Sequence, residues 1–219
     1  MRNSKSALRK AAVWLTAVLI ICMSLPLAVS AKGGERKKVR AGWHEPPHFM
    51  TDVNGRKTGY SYEYQRKIAA YVQRLQERVN KEDKFEYAMA VFDCNYLKKI
   101  NDLHGHDKGD IYLKNACRLI CNVFEHSPVF RIGGDEFAAV LMNDDLKNRE
   151  KLILLFEEKQ TEKNSGTEDE WEQIHVAYGI AVYDPSVDGS VEDTIRRADR
   201  AMYEYKAESK ARDEKKEDQ

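Results

Sequence analysis

The chain has 219 residues, with 36 Lys and Arg against 36 Asp and Glu, so its formal net charge is zero. This length allows one or two ordinary domains, and 42% apolar residues indicate a folding chain rather than a disordered one. A neutral total argues against a dedicated nucleic-acid binder, which is normally strongly basic. Four irregularly spaced cysteines exclude a disulfide scaffold.

Charge is distributed unevenly along the chain. Residues 32–84 hold 13 basic and 7 acidic side chains, whereas residues 85–210 hold 16 basic and 25 acidic ones. A basic first part joined to an acidic second part predicts a domain boundary near residue 84.

The first segment, residues 1–31, has a basic start followed by 21 uncharged residues from Ala11 to Ala31. A small-residue ending at Val29-Ser30-Ala31 is typical of a cleaved secretory signal peptide. The same 21 residues are long enough to span a bilayer, so an uncleaved membrane anchor is the alternative.

Residues 32–72 contain a short predicted strand, Val39 to Trp43, a turn signal at Asn54-Gly55, and a helical pattern from Tyr62 to Val72. This segment resembles the opening of the family 3 extracellular solute-binding proteins. The matching residues are Val39, Gly42, Pro47, Phe49, Gly59 and Tyr60. Such a domain needs on the order of 200 residues, so we read 32–72 as a truncated fragment, followed by a charged, helix-prone linker at 73–84.

The alternating apolar run at 85–93 predicts a buried strand that ends on Asp93. A polar stretch follows, and then a helix with Leu113, Ala116 and Ile120 on one face, beside which Cys117 and Cys121 are core thiols. Residues 129–141 predict two short strands joined by a two-residue turn at Gly133-Gly134, where positive φ angles favour glycine.

A turn does not explain the adjacent carboxylates Asp135 and Glu136 at the tip of this apolar hairpin. Adjacent acids repel each other, and a cation between them relieves that repulsion. Asp93 ends another predicted strand, and the hairpin tip could lie beside it, in which case the three carboxylates would form a divalent-metal site.

Five blocks of residues in this half follow the order and spacing of the GGDEF domain, the diguanylate cyclase family. The blocks are Phe92-Asp93-x-Asn95-x-Leu97-Lys98-x-Ile100-Asn101-Asp102, Gly105-His106 with Gly109-Asp110, Arg131-x-Gly133-Gly134-Asp135-Glu136-Phe137, Tyr178-Gly179-Ile180-Ala181, and Arg197-Ala198-Asp199-x-Ala201-Met202-Tyr203. Because the blocks are in register over about 120 residues, the resemblance is far more specific than a lone motif.

The resemblance implies an α+β fold, an α/β sandwich like the polymerase palm and the nucleotidyl cyclases, with a central, mostly antiparallel sheet flanked by helices. It assigns residues 85–210 to the domain and leaves 211–219 as a charged tail. It also implies a homodimer in which each GTP attacks the other, forming cyclic di-GMP and two pyrophosphates.

The resemblance further assigns residues to roles. Asp93, Asp135, Glu136 and the backbone carbonyl of Cys94 would hold two Mg²⁺ ions per active site, with Mn²⁺ as an alternative metal. By the same resemblance Asp135 would be the proton acceptor, and Lys98 would stabilise charge on the phosphates. Four further residues would bind the substrate, Asn101 and Asp110 by reading guanine and Lys206 and Lys210 by contacting phosphate.

Two departures from the family pattern affect these expectations. The Arg-x-x-Asp inhibitory site is absent, because Phe124 and Ser127 stand at its positions. The Asp-x-Leu-Thr-x-Leu-x-Asn-Arg block that usually opens the domain is missing before Phe85. An inactive, truncated module that binds GTP or a protein partner is therefore the alternative to a cyclase.

The cellular location of the chain depends on whether residues 1–31 act as a membrane anchor or as a cleaved signal peptide. An active cyclase needs cytoplasmic GTP, so it requires residues 11–31 to anchor the chain in the cell membrane with the second half in the cytoplasm. A cleaved signal would instead export the chain. An exported ligand-binding protein is a third hypothesis, which the short 32–72 fragment does not favour.

Overall fold

The computed structural model describes residues 50–51, 57–58, 60–82 and 84–217, with side chains for 64–82 and 84–209. The sequence predictions for residues 1–31, for the strand Val39 to Trp43 and for the turn at Asn54-Gly55 lie outside the described residues. Among the helices that are described, none is both long and apolar enough to cross a bilayer.

The chain divides into two compact units. The first contains the short antiparallel strands β1 (Met50–Thr51) and β2 (Lys57–Thr58), followed by helix α1 (Tyr60–Lys81). The helix predicted from Tyr62 to Val72 is confirmed and is longer than expected, because it continues through most of the charged segment 73–84.

The described part of the second unit begins at Glu82 and alternates strands with helices. Its elements in chain order are β3 (Ala88–Cys94), α2 (Leu97–His104), α3 (His106–Val123), β4 (Val129–Arg131), β5 (Glu136–Leu141), α4 (Asn143–Lys147), α5 (Arg149–Ser165), β6 (Val176–Val182) and α6 (Val191–Glu217). The four strands form one antiparallel sheet in the order β4-β5-β3-β6.

Side chains of the central strand β3 alternate between two layers of helices. Ala88, Ala90 and Phe92 join the core cluster that includes residues of α3 and α5. The alternate residues of β3 face α6, as shown by Asp93, which forms an ion pair with Lys206 of that helix. A sheet with helices on both faces confirms the α+β sandwich predicted from the sequence.

Helix α6 lies unusually close to the sheet at Gly179 of β6. A Cβ atom at this position would lie 2.1 Å from the backbone nitrogen of Met202 and 2.3 Å from the carbonyl oxygen of Ala198. Only glycine allows the helix backbone to approach the strand backbone in this way.

A buried ion pair fixes the start of α6. The side chain of Asp188 is fully buried and accepts hydrogen bonds from Arg197 at 2.8 and 2.6 Å and from Thr194 at 3.0 Å. Thr194 also bonds the hydroxyl of Tyr87 at 3.0 Å, and Arg197 donates to the carbonyl of Val182. This network ties the loop before α6 to the helix and to the sheet.

The sequence prediction for the hairpin is wrong. The hairpin has four residues, 132–135, between β4 and β5 rather than two, and neither Gly133 nor Gly134 has a positive φ angle. After β5 the chain forms two helices, α4 and α5, which meet at Asn148.

Candidate active site

Strand register brings the predicted metal-binding acids together. Asp93, near the end of β3, is the direct cross-strand partner of Glu136, the first residue of β5. The backbone N–H of Cys94 donates a 2.8 Å hydrogen bond to the carbonyl oxygen of Asp135. Directly opposite residues in an antiparallel pair have Cβ atoms about 5 Å apart on the same face of the sheet. The structure therefore places all three carboxylates at one end of the two central strands.

The hairpin that carries Asp135 and Glu136 is held by internal hydrogen bonds. The N–H groups of Ile132 and Gly133 both donate to the carbonyl of Glu136, at 2.9 and 3.3 Å. A Cβ atom at Gly133 would lie 2.5 Å from the Glu136 carboxylate, so a larger residue at this position would have to displace that side chain.

The side chain of Arg131 closes the same hairpin. It donates to the carbonyl oxygens of Gly133 and Gly134, at 3.2 and 2.5 Å. These bonds satisfy the turn carbonyls and hold a positive charge next to the acidic tip. The arginine thus fixes the loop from which the two carboxylates project.

Helix α6 contributes a lysine to the acidic end of the sheet. The Nζ atom of Lys206 donates to Oδ1 of Asp93 at 2.6 Å, and the two side chains are only 24% and 7% exposed. Of the two predicted phosphate-binding lysines, Lys206 thus lies at the acidic end of the sheet. The side chain of the other, Lys210, lies outside the described residues.

Two further residues of α6, for which no role was predicted, lie close to the acidic end of the sheet. Burial, and then the nearby charge of Asp93, raise the pKa of the Asp199 carboxyl above its ordinary value. Burial raises the pKa of the Tyr203 hydroxyl to about 12, with smaller effects from Asp199, Glu136, Asp93 and Asp135. The spacing of Asp199, Tyr203 and Lys206 puts all three on one helix face, which is the signal that could have identified them.

The candidate guanine-reading residues lie on two consecutive helices. Gly105 alone joins α2 to α3, with a φ angle of 84°, which favours glycine. The side-chain oxygen of Asn101 lies 1.9 Å from where a Cβ atom of Gly109 would be, so Asn101 packs against the α3 backbone beside Asp110. Asn101 and Asp110 are both partly buried.

Lys98 is exposed in the first turn of α2, on the segment that follows the acidic end of β3. Within the described side chains, no hydrogen bond or ion pair joins Lys98 to another residue. The structure therefore leaves its ammonium group available to a ligand but does not bring it into contact with the three carboxylates.

The donor chemistry at the strand end suits Mg²⁺, which prefers carboxylate and carbonyl oxygens. The thiol of Cys94 is buried, and burial together with Asp93 and Asp135 raises its pKa, so it stays neutral and is a poor metal ligand. Within the described residues, no group of three or more His, Cys, Asp or Glu side chains is arranged to hold a metal. The residues fit Mg²⁺ in chemical type, but their side chains are not arranged around a common point, and Asp93 is paired with Lys206.

A family model described as the diguanylate cyclase GGDEF domain matches residues 65–212. The chain belongs to the GGDEF family. The match begins inside α1, 20 residues before the predicted domain start at Phe85, so the family model includes most of the helix that precedes β3.

Two curated relatives that are named as diguanylate cyclases match this chain at moderate sequence identity. Diguanylate cyclase A of Treponema denticola is 26% identical over 132 residues, which are 60% of this chain and 35% of that protein. A diguanylate cyclase of Vibrio cholerae is 31% identical over 121 residues, which are 55% of this chain and 37% of that protein. The chain thus spans little more than a third of the length of these two relatives.

Solved structures support the same fold. The active GGEEF domain of a diguanylate cyclase from Vibrio cholerae is 27% identical and has a TM-score of 0.51 over 63% of this chain and 85% of that one. The GGDEF domain of DgcB from Caulobacter crescentus, solved with c-di-GMP, is 24% identical, with a TM-score of 0.53 over 66% of this chain and 84% of that one. The second likeness concerns the fold alone.

Phe124 and Ser127, which stand at the positions of the missing inhibitory motif, make structural contacts within the GGDEF fold. Phe124 is fully buried and packs against Phe92 and Phe156, with ring centroids 5.5 and 6.3 Å away. The hydroxyl of Ser127 donates a 2.6 Å hydrogen bond to Asp145. Neither side chain can replace the guanidinium and carboxylate of an Arg-x-x-Asp motif.

Proposed function

We propose that the chain is a diguanylate cyclase that condenses two GTP molecules into cyclic di-GMP and two pyrophosphates, for second-messenger signalling. The observation that supports this most directly is the pairing of Asp93 with Glu136, together with the hydrogen bond from Cys94 to Asp135. These contacts gather three carboxylates at one end of the sheet, where a triphosphate and its metals can bind.

In this proposal the 3′-hydroxyl oxygen of each GTP forms a bond to the α-phosphorus of the other GTP. The bond from that phosphorus to the pyrophosphate oxygen breaks, and Asp135 accepts the hydroxyl proton. A homodimer is required, because each subunit holds one GTP and the two must face each other.

Asp93, Asp135, Glu136 and the carbonyl oxygen of Cys94 would hold two Mg²⁺ ions. When bound, the metal polarises the α-phosphate and lowers the pKa of the attacking hydroxyl. Lys206 would leave Asp93 and bind a phosphate oxygen instead, so that the positive charge of the lysine stays paired with a negative group.

The remaining substrate contacts come from the helices. Lys98 and Lys210 would neutralise charge that develops on the phosphates. Asp110 would accept the N1–H and N2–H donors of guanine, and Asn101 would donate to an acceptor on the base. A site that pairs these groups selects guanine because an adenine would leave buried polar groups unpaired.

An inactive GGDEF module that binds GTP or a protein partner is the second candidate. The 2.6 Å ion pair between Lys206 and Asp93 favours it, because this pair occupies a carboxylate that the metals need. The missing Asp-x-Leu-Thr block before Phe85 favours it as well.

Turnover distinguishes the two candidates. The full chain, kept in a mild detergent because of its apolar segment 11–31, is incubated with GTP and Mg²⁺, and cyclic di-GMP is measured by chromatography. We expect product from the unaltered protein, and at least a ~100-fold lower rate with retained GTP binding for Asp135→Ala. Asp102→Asn, an exposed acid on α2, is the control that should keep the rate.

GTP binding without product in the unaltered chain would support the inactive module. A chain that neither binds nor converts GTP would contradict both candidates.

We propose further that residues 1–31 direct the chain to the membrane and that residues 32–64, which precede the family match, are a remnant of a solute-binding domain. Activity requires the second half to reach cytoplasmic GTP, so we expect an anchor rather than a cleaved signal. A reporter fused after Gln219, active only in the cytoplasm, would give signal for an anchor and none for an exported chain.

A further inference from the structure

The loop between α5 and β6, residues 166–175, packs against the corner where α2 meets α3. The indole ring of Trp171 stands edge-on to the imidazole of His104, with ring centroids 4.7 Å apart. The Nζ atom of Lys108 lies 4.3 Å from the centroid of the same indole ring. Trp171 therefore contacts the last residue of α2 and the first turn of α3 at once.

A second residue of this loop binds α2 through its charge. The carboxylate of Glu170 accepts a 2.9 Å hydrogen bond from Lys99 and lies 3.7 Å from Nε2 of His104. The neighbouring residues Glu170 and Trp171 thus contact three side chains of the α2–α3 corner.

The loop is itself held in one shape. The side-chain amide of Asn164 bonds both the N–H and the carbonyl of Ile174, at 2.6 and 2.8 Å, which closes the loop at its base. Inside it, the N–H groups of Glu172 and Gln173 donate to the carbonyl of Asp169. The contacts at Trp171 therefore come from a fixed support and not from a free chain segment.

The corner that receives these contacts is a weak point of the helix pair. Gly105 is the single residue between α2 and α3, and no side-chain hydrogen bond caps the N-terminus of α3. The angle at Gly105 sets how the face of α2 that carries Asn101 meets the face of α3 that carries Asp110. Lys108, which touches Trp171, is two residues from Asp110.

We infer that Trp171 is a positioning residue for base recognition. By holding His104 and Lys108 from outside the corner, it keeps Asn101 and Asp110 at the separation that the guanine edge requires. This inference rests on the proposed guanine-nucleotide function of the same two residues. Such a residue affects selectivity, because a small change in the angle between α2 and α3 moves both Asn101 and Asp110 away from the guanine edge.

The test compares Trp171→Ala with the unaltered chain in equilibrium titrations with GTP and with inosine triphosphate, which lacks the 2-amino group of guanine. We expect the unaltered chain to prefer GTP and Trp171→Ala to bind GTP about tenfold more weakly. Binding of inosine triphosphate should change less, so the ratio of the two dissociation constants should fall. Trp171→Phe, which keeps a ring in contact, should retain most of the preference.

Leu154→Ala is the matched control, because Leu154 is an apolar side chain on α5 that is 66% exposed. Thermal unfolding of each variant separates loss of selectivity from loss of fold. If Trp171→Ala does not fold, the double variant Lys108→Met and Glu170→Gln removes the cation–π contact with Trp171 and the charge of Glu170 without opening a cavity.

An unchanged ratio in folded Trp171→Ala, or in the double variant where that is used, overturns the inference. Absence of GTP binding in the unaltered chain contradicts the proposed function instead, so the two failures can be distinguished.

Discussion

Replacing Asp188 by Asn tests whether the buried ion pair before α6 determines the stability of the second unit. The substitution keeps the size of the side chain but removes its charge and turns one acceptor into a donor facing Arg197 or Thr194. Asp188 is fully buried and receives two hydrogen bonds from Arg197, one from Thr194 and one from the backbone N–H of Asp184.

The magnitude follows from this environment. Removing one partner of a buried pair costs about 3–5 kcal/mol. The Arg197 side chain is 35% exposed and can turn partly toward water, so we expect the lower end, about 3 kcal/mol. For a domain of this size each kcal/mol lowers the melting temperature by about 3–4 °C, which predicts a fall of about 10 °C.

The dependence on pH provides a second check. Burial by itself raises the pKa of Asp188, but the bonds from Arg197, Asp184 and Thr194 outweigh it, so the pKa lies below its ordinary value. A carboxyl with a lowered pKa stabilises the fold above the unfolded pKa of about 4 and loses this effect as the pH falls through the folded value. The gap between the unaltered chain and Asp188→Asn should therefore be constant near neutral pH and shrink below about pH 4.

The assay is thermal unfolding followed by circular dichroism at several pH values, with Glu204→Gln, an exposed acid on α6, as the control. A melting temperature of Asp188→Asn within a degree of the unaltered chain at pH 7 would refute the reasoning. So would a gap that persists undiminished in strong acid.

Two other predictions concern α6. Gly179→Ala should lower the free energy of unfolding, measured by denaturant titration, by about 1–3 kcal/mol, because the added methyl group meets the helix backbone. Gly134→Ala is the control and should leave the free energy of unfolding unchanged, because a Cβ atom there meets nothing within 4 Å. Lys206→Met should increase the affinity of the nucleotide-free chain for Mn²⁺, measured by calorimetry, because it frees Asp93 for the metal; an affinity equal to that of the unaltered chain would contradict this role of the lysine.

The sequence allowed the sheet and its longest helices to be predicted, because their burial patterns are regular. The apolar run before Asp93 became β3, and the helix predicted with Leu113, Ala116 and Ile120 on one face became α3. Helix α2 was missed because it is only eight residues long and lies in a polar stretch, with Ile100 as its one buried residue.

The acidic cluster could be expected from spacing, but its geometry could not. That Asp93 lies opposite Glu136 is a matter of strand register, which depends on the whole sheet. The ion pair between Lys206 and Asp93 joins residues 113 positions apart and cannot be read from local patterns. The contacts of Trp171 depend in the same way on a loop returning to two earlier helices.

The close approach at Gly179 also bears on how the sequence can diverge. Since the distance between α6 and the sheet is set by main-chain atoms, most outward-facing residues of the helix can change without moving Lys206 relative to Asp93. Substitutions on that outward face should therefore leave the arrangement of helix and strand intact, provided that Gly179 persists. For anyone redesigning this surface, Gly179 is the position to leave untouched, and the exposed side of α6 is where new functions can be added.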